Sequence, residues 1–399
     1  MKILYIAPVR DFSGYAAAAR GYINALHHAG ADLVVRPIRY DRADSGTEYT
    51  PNEIETALMK RSLDGVDVII QHTTPNELRP VEGKTNIAVV AWETNRIPQY
   101  WADKLNKFNA VITFCQTSVD AFRDCGVTVP IFKIPHTFDI PSYRLNDIAP
   151  IMSPSEPDFF KDRFVFYNIS QFSTKKGIDI LLKAYFLQFH GKQDKVVLIL
   201  KTYIDMANRN EENKKLAAFV NSVKAATRLA PDGYPPLMIV TKTFSDHYMK
   251  KIHRTGHCYV CSSRAEGWCI PAFEALAYGN KLVTTDWGGM GEFIQIKDKD
   301  GNHVSMNADH VGPSYMPNVF PVSYRMEPLV GQGHADPELY TAKDLVAEPS
   351  TLSMMYEMQQ AYDSPFMPRP SLMEFDYSTV GASMLDVIQS VKNGATINV

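Results

Sequence analysis

Two glutamates, Glu266 and Glu274, stand eight residues apart in "CSSRAEGWCIPAFEALAYGNKLVTTDWGG", separated by a glycine, a tryptophan and a proline. A carboxylate accepts hydrogen bonds on both oxygens, so each could hold a pair of neighbouring hydroxyls, as acidic residues do beside nucleotide ribose. Pro271 suits the first position of a helix, because the N–H it lacks would be unpaired there. The helix would then direct its positive end, with amides near Gly267 to Ala272, at the loop, a setting that favours phosphate. Glu274 reads as a ribose ligand in the first helical turn and Glu266 as a ligand for hydroxyls of a second sugar. Taken alone, either glutamate is more often a capping or solvated residue.

Five cysteines, Cys115, Cys125, Cys258, Cys261 and Cys269, fall in or beside apolar segments without the loop spacing of a disulfide framework, which indicates reduced thiols. Cys258 and Cys261, near His253 and His257, invite a metal reading. Residues three apart on a strand point to opposite faces, however, and no second cysteine pair follows, so no metal site is expected.

The elements that must position these residues alternate along the chain. "KILYIAPV" has a strand pattern, "YAAAARGYINALHHAG" repeats its apolar residues at helical spacing, and "ADLVVRPI" returns to a strand. "VDVIIQHT", "TNIAVVAW", "NAVITFC" and "VPIFKIPH" are almost wholly apolar, as strands of a parallel sheet covered on both faces are. A proline-rich linker, 146–162, separates this first α/β domain, 1–145, from a second one, 163–375. The second contains "FVFYNIS", a helix "GIDILLKAYFLQFHG", "KVVLILKT", "LMIVTKT", "GHCYVCSS" and "KLVTTD". Beyond Gly301 the chain reads as proline-rich and irregular until helical patterns at 351–362 and 377–392, and the final segment, 376–399, is expected to return to the first domain. The fold class is α/β, with two Rossmann-like domains.

The whole chain bounds the function further. Its 399 residues exceed one ordinary core, and 45% hydrophobic with 21% charged residues is the composition of a folded protein. A net charge of -3 gives no electrostatic footprint for nucleic acid, although a local basic groove could sit inside a balanced total. The opening residues lack a signal-peptide pattern and no apolar run reaches about 18 residues, so a cytoplasmic or at most peripheral membrane location is expected.

As an ensemble, Ser262 or Ser263, Glu266, Gly267, Trp268, Pro271, Glu274, Gly279, Gly288, Gly289 and Glu292 resemble the motif of retaining GT-B glycosyltransferases, in particular family 4. "SQFSTKKGIDILLKAYF" is similar to the family segment in which an arginine and a lysine neutralise a donor diphosphate. Lys176 matches the lysine. Gln171 stands at the arginine's place, leaving Lys201, Arg264 or Lys175 to supply the second charge. "APVRDFSGYAAAARGYINAL" looks like the family's first glycine loop, with Gly14 allowing close approach of a ligand. Trp92, Glu93 and Thr94 occupy the region where many relatives carry a histidine, so Glu93 becomes the candidate there, with Trp92 and Trp101 as a sugar-stacking wall. His72 and His136, at strand ends, are further candidates, and His334 lies in a late segment similar to the family's.

The resemblance implies GT-B architecture, two Rossmann-like domains facing across a deep cleft, and transfer of a sugar from a nucleoside diphosphate, UDP or GDP, to an acceptor hydroxyl with retention. It implies catalytic roles for Glu266 and Lys176, and Glu93, after a buried strand and beside the two tryptophans, is the third catalytic candidate. Donor contacts would come from Gly14, Lys176, Lys201, Arg264, Gly267, Trp268, Ile270, Glu274 and Gly289, without a required metal. The acceptor could be a glycan, a lipid-linked group or a small molecule. Alternatives are the same chemistry on a hydroxylated base of bacteriophage DNA, or a sugar-nucleotide-binding protein with little turnover. A nicotinamide-dependent oxidoreductase is disfavoured, because "APVRDFSGYA" has one glycine where a dinucleotide loop needs three.

Overall fold

In the computed structural model, which describes residues 1–38, 49–153, 156, 158–204, 209–241, 246–296, 314–329 and 339–394, the apolar runs form two separate six-stranded parallel sheets. One compact unit comprises Met1–Ser142, Asp336–Asp344 and Leu372–Val399; the other comprises Tyr143–Ala335 and Leu345–Ser371. His334 lies outside the described residues.

The sheet of the first unit is built from β1 (Lys2–Ala7), β2 (Asp32–Pro37), β3 (Val66–His72), β4 (Thr85–Val89), β5 (Ala110–Thr113) and β6 (Ile131–Lys133), in the order β2-β1-β3-β4-β5-β6. Helices α1 (Gly14–His28), α2 (Glu53–Lys60), α3 (Gln99–Leu105) and α4 (Gln116–Asp124) connect them. All four residues of β5 are buried, which explains why alternation is absent from its sequence. Strand order reverses between β1 and β3, the point where open α/β sheets bind ligands.

The second sheet contains β7 (Phe164–Ile169), β8 (Val196–Lys201), β9 (Leu237–Val240), β10 (Cys258–Cys261), β11 (Lys281–Thr285) and β12 (Val319–Val322). Its order, β12-β11-β10-β7-β8-β9, is that of a dinucleotide-binding Rossmann sheet, with the reversal between β7 and β10. An antiparallel pair, β13 (Tyr324–Pro328) and β14 (Leu345–Pro349), accompanies it. The helices are α5 (Ile178–Phe189), α6 (Arg209–Thr227), α7 (Asp246–Thr255), α8 (Ile270–Ala277), α9 (Gly291–Ile294) and α10 (Thr351–Asp363). The core lies between α5, α10 and the sheet, around Phe166, Tyr185, Phe186, Phe189 and Met358. The expectation of irregular chain beyond Gly301 fails at β12 to β14. Pro321 disguises β12, and is tolerated because that strand lies at the sheet edge. The last helix, α11 (Tyr377–Lys392), packs on α1 in the first unit. Residues 146–162 form neither helix nor strand where they are described. No helix among the described residues is long and apolar enough to cross a membrane.

Candidate functional site

Direct pairing of β7 with β10 is confined to Phe166 with Cys258 and Tyr167 with Tyr259. Past that point the Asn168 side chain bridges the strands, donating from Nδ2 to the Val260 carbonyl at 2.8 Å while Oδ1 accepts from Ser170 Oγ at 2.6 Å. The loops beyond these strands meet at the switch point. Ser262 Oγ donates to the Lys176 carbonyl (2.9 Å), the Arg264 amide to the Lys175 carbonyl (2.7 Å), and Arg264 Nη1 to the Thr174 carbonyl (2.5 Å). Three successive carbonyls of the 174–176 turn are thus held by the loop after β10. Gly177 closes that turn at φ +60°, and a Cβ there would lie 2.0 Å from the Ser262 carbonyl oxygen, so a side chain is excluded twice over.

The clamp presents Lys176 to Glu266. Nζ lies 2.7 Å from Oε1, with side-chain exposures of 18% and 12%, a partly desolvated pair at the loop where strand order reverses. The Gly289 amide donates to the Glu266 carbonyl at 3.0 Å, and a Cβ on Gly289 would stand 2.2 Å from the Gly267 oxygen. Two segments that the sequence places 23 residues apart therefore touch backbone to backbone.

Glu274 departs from its expected place. Ile270, not Pro271, begins α8, after Cys269 at φ +67°, and Glu274 falls in the second turn rather than the first. Helix capping therefore does not account for it. Its neighbours are Tyr143 Oη, 3.5 Å from Oε1, and His253 Nε2, 3.5 Å from Oε2. Behind His253 runs a buried chain: Asn280 Nδ2 donates to Tyr167 Oη (2.7 Å), which lies 2.9 Å from His253 Nδ1. With Tyr167 Oη accepting from Asn280, its O–H donates to Nδ1, which puts the imidazole proton on Nε2, facing Glu274. The sequence reading named His253 only beside the cysteines, and Tyr167, Asn280 and Tyr143 escaped it, since no motif or spacing connects any of the four to Glu274.

The remaining donor-side residues differ in what they can offer. Arg264, 5% exposed, spends its guanidinium on Glu348, with Nη2 to Oε1 at 3.0 Å, and on Asp179, with Nη1 to Oδ1 at 3.2 Å. Lys201, at the carboxyl end of β8, is buried, with its ammonium 5.4 Å from the Tyr203 ring centroid and no ion-paired partner among the described residues. Burial lowers its pKa, an effect opposed by Glu212. Trp268 is buried against Phe273 and Phe293, so its backbone rather than its ring borders the loop, and half-buried Ile270 starts α8. Cys258 and Cys261 do not meet; Cys261 Sγ instead lies 3.7 Å from Cys269 Sγ. His257 Nδ1 accepts from the Val165 amide, and none of the five cysteines is in a disulfide.

In the first unit, Gly14 begins α1, capped by Ser13, and a Cβ there would meet nothing within 4 Å. The fold itself does not demand glycine at that position. The sugar-stacking wall is overturned: Trp92 and Trp101 are 4% and 1% exposed, pack on each other at 4.7 Å, and belong to a core cluster. Glu93 beside them is half-buried, its Oε2 3.5 Å from Tyr340 Oη. His72 and His136 are buried too, His72 bonded through Nδ1 to Tyr5 Oη at 2.9 Å and His136 stacked on Phe114 at 3.9 Å.

Residues 163–311, which span this loop cluster, match the family described as glycosyl transferases group 1. No curated protein matches by sequence. Among solved structures, the α,α-trehalose-phosphate synthase (UDP-forming) of Burkholderia vietnamiensis is similar over 99% of this chain and 99% of its own, with TM-score 0.63 and 11% identity. The α,α-trehalose 6-phosphate synthase of Burkholderia multivorans follows at TM-score 0.61 and 12% identity, with 99% of each chain covered. An E. coli structure described as trehalose-6-phosphate bound with UDP-2-fluoro glucose covers 98% of this chain and 96% of its own at TM-score 0.56 and 13% identity. At such identities the likeness establishes the fold, and the family match over the loop cluster supplies the reaction class. The chain is a GT-B glycosyltransferase related to the glycosyl transferases group 1, using a nucleoside-diphosphate sugar as donor.

Proposed function

We propose that the chain transfers a sugar, with retention of anomeric configuration, from a nucleoside diphosphate held by the second unit to an acceptor hydroxyl. The observation that carries this reading is the Lys176–Glu266 pair at the β7/β10 reversal, a cation and a hydroxyl acceptor preset 2.7 Å apart where a Rossmann sheet receives its ligand. Lys176 neutralises the diphosphate and Glu266 takes the sugar hydroxyls. Lys201 supplies the second cation, because its buried ammonium stands at the carboxyl end of β8 with no ion pair among the described residues, whereas Arg264 acts by holding the loop. Glu274 takes the ribose hydroxyls, and the backbone around Gly267, Trp268, Ile270 and Gly289 shapes the cradle. Gly14 and Glu93 serve the transferred sugar and the acceptor.

In the reaction the bond from C1 to the phosphate oxygen breaks, and the departing diphosphate is stabilised by the two lysines. The acceptor oxygen bonds to C1 from the same face, and its proton passes to the departing phosphate oxygen. Removing one such preorganised donor typically costs about a hundredfold or more in kcat. No step in this scheme uses a metal ion. Uridine is the favoured base, since the similar structures include UDP-forming synthases and a complex with UDP-2-fluoro glucose. Five cysteines outside any disulfide suit a reducing, cytoplasmic setting.

The test is binding and hydrolysis of UDP-, GDP-, ADP- and dTDP-sugars by the parent, Lys176→Ala and Glu274→Ala. Selective binding of one donor, weakened by both substitutions, supports the assignment. Donor binding that ignores both would sink it, and binding without turnover in the presence of varied acceptors would leave a sugar-nucleotide-binding protein.

A further inference from the structure

Cys261, Glu266 and Cys269 converge from the end of β10, the loop and the start of α8 so that their two sulfurs and a carboxylate oxygen all lie within 4.8 Å of one another. The sulfurs themselves are 3.7 Å apart. Two thiolates bound to a tetrahedral zinc, each at about 2.3 Å from the metal, stand about 3.8 Å from each other, so the observed spacing is close to one edge of that coordination polyhedron. Cys269 stands there at φ +67°, a left-handed conformation that a non-glycine residue rarely takes, with its sulfur against Cys261. The sequence pairing of Cys258 with Cys261 gave no hint of it.

Charge also balances. Two thiolates and the Glu266 carboxylate carry three negative charges, against two from a divalent cation and one from Lys176, which already holds Glu266 at 2.7 Å. Both sulfurs are buried, Cys261 at 2% and Cys269 at 8% exposure, a soft environment that water-seeking ions such as magnesium avoid.

We propose that Cys261, Glu266 and Cys269 form a three-ligand site for a thiophilic divalent cation of the zinc class, and that its occupancy competes with the sugar donor for Glu266. Binding converts two thiols and the cation into a dithiolate complex, with the two protons released to solvent. The fourth coordination position is left for water. Competition, though not the site itself, rests on the role assigned above to Glu266.

The experiment titrates chelator-treated, fully reduced protein with cadmium and follows the ultraviolet thiolate-to-cadmium charge-transfer band. One equivalent is expected to bind in the parent and in Cys115→Ser, and the band should weaken or vanish in Cys261→Ser and in Cys269→Ser. Circular dichroism certifies that each variant is folded, with Cys269→Ala as replacement should Cys269→Ser unfold. A band that is absent from the parent, or that survives both substitutions, overturns the site. Calorimetry with UDP-glucose then reads the competition: affinity should fall about tenfold at saturating zinc in the parent and stay constant in Cys269→Ser. Zinc-independent affinity in the parent overturns the competition. A metal-free parent that binds no nucleotide sugar contradicts the donor role of Glu266, and with it the competition, while the cadmium titration still decides the site.

Discussion

His253 Nε2 lies 3.5 Å from Glu274 Oε2, at the outer end of a buried chain that runs back through Tyr167 to Asn280. The ring is 1% exposed and its Nε2 has no hydrogen-bond partner, so it stands as a buried donor that a small shift of the Glu274 carboxylate satisfies. His253→Phe is expected to weaken donor binding by about 1 kcal/mol, roughly fivefold, the usual worth of one hydrogen bond. KM should carry the loss, with kcat little altered, because the ribose end is remote from the bond that breaks. Tyr167→Phe should reproduce part of the effect by freeing the tautomer, and His253→Gln, which can still donate, should restore part of it. Equal loss in kcat and kcat/KM would count against a positioning role.

The loop between β10 and α8 touches the turn after β11 so closely that Gly289 has no room for a side chain, with the Gly267 oxygen 2.2 Å from where a Cβ would stand. Gly289→Ala must therefore push the 266–268 backbone away. Because the displaced segment carries Glu266, loss of donor affinity should far exceed loss of stability. Calorimetry and thermal melting on the same variant compare the two; a large drop in melting temperature with donor affinity kept would contradict this account.

Much of this arrangement is legible in the sequence for a physical reason: strands buried on both faces are continuous apolar runs, so "KVVLILKT" and "FVFYNIS" announce β8 and β7 directly. What sequence spacing hides is direction and long-range contact. Trp92 and Trp101 beside Glu93 read as a wall for sugar, yet both rings turn into the core. Pro271 marks the start of α8 to within one residue, but the left-handed Cys269 shifts the register enough to move Glu274 into the second turn. Tyr143 reaches Glu274 across 131 residues, and no local pattern encodes such a meeting. Asp336–Asp344, embedded between stretches of the second unit, belongs to the first, which periodicity could not reveal.

Arg264 links three elements by one planar group: the turn at Thr174, Asp179 in α5 and Glu348 in β14. A lysine keeps the charge but not the fork. Arg264→Lys should leave Asp179 or Glu348 short of a partner and cost roughly 2 kcal/mol of stability in the second unit, less than breaking a fully buried pair because both carboxylates are partly exposed. Urea unfolding measures this, and donor affinity should fall along with it because the 174–176 turn loses its clamp. If Arg264→Lys keeps full stability but loses donor binding, the guanidinium is a phosphate ligand after all.

His72 sits among Tyr5, Tyr15, Tyr22 and Phe114, with Tyr5 Oη 2.9 Å from Nδ1, and burial pushes its pKa down from 6.5 to about 3. His136, stacked on the same Phe114, is lowered in the same direction by burial and then by His72. A folded-state pKa below the unfolded one means the unfolded chain binds more protons between pH 6.5 and about 3. Stability of the first unit is therefore whole above pH 6.5 and declines as the pH falls through that window, by about 1.4 kcal/mol per pH unit for each histidine. His72→Gln removes one titrating ring and should reduce the slope by about one proton. Hydrogen exchange of the β3 amides at about pH 7 and about pH 5 reads this: the parent should lose about 2 kcal/mol more than the variant over that interval. Parallel losses in parent and variant would mean that His72 is already solvated, or already charged, in the folded unit.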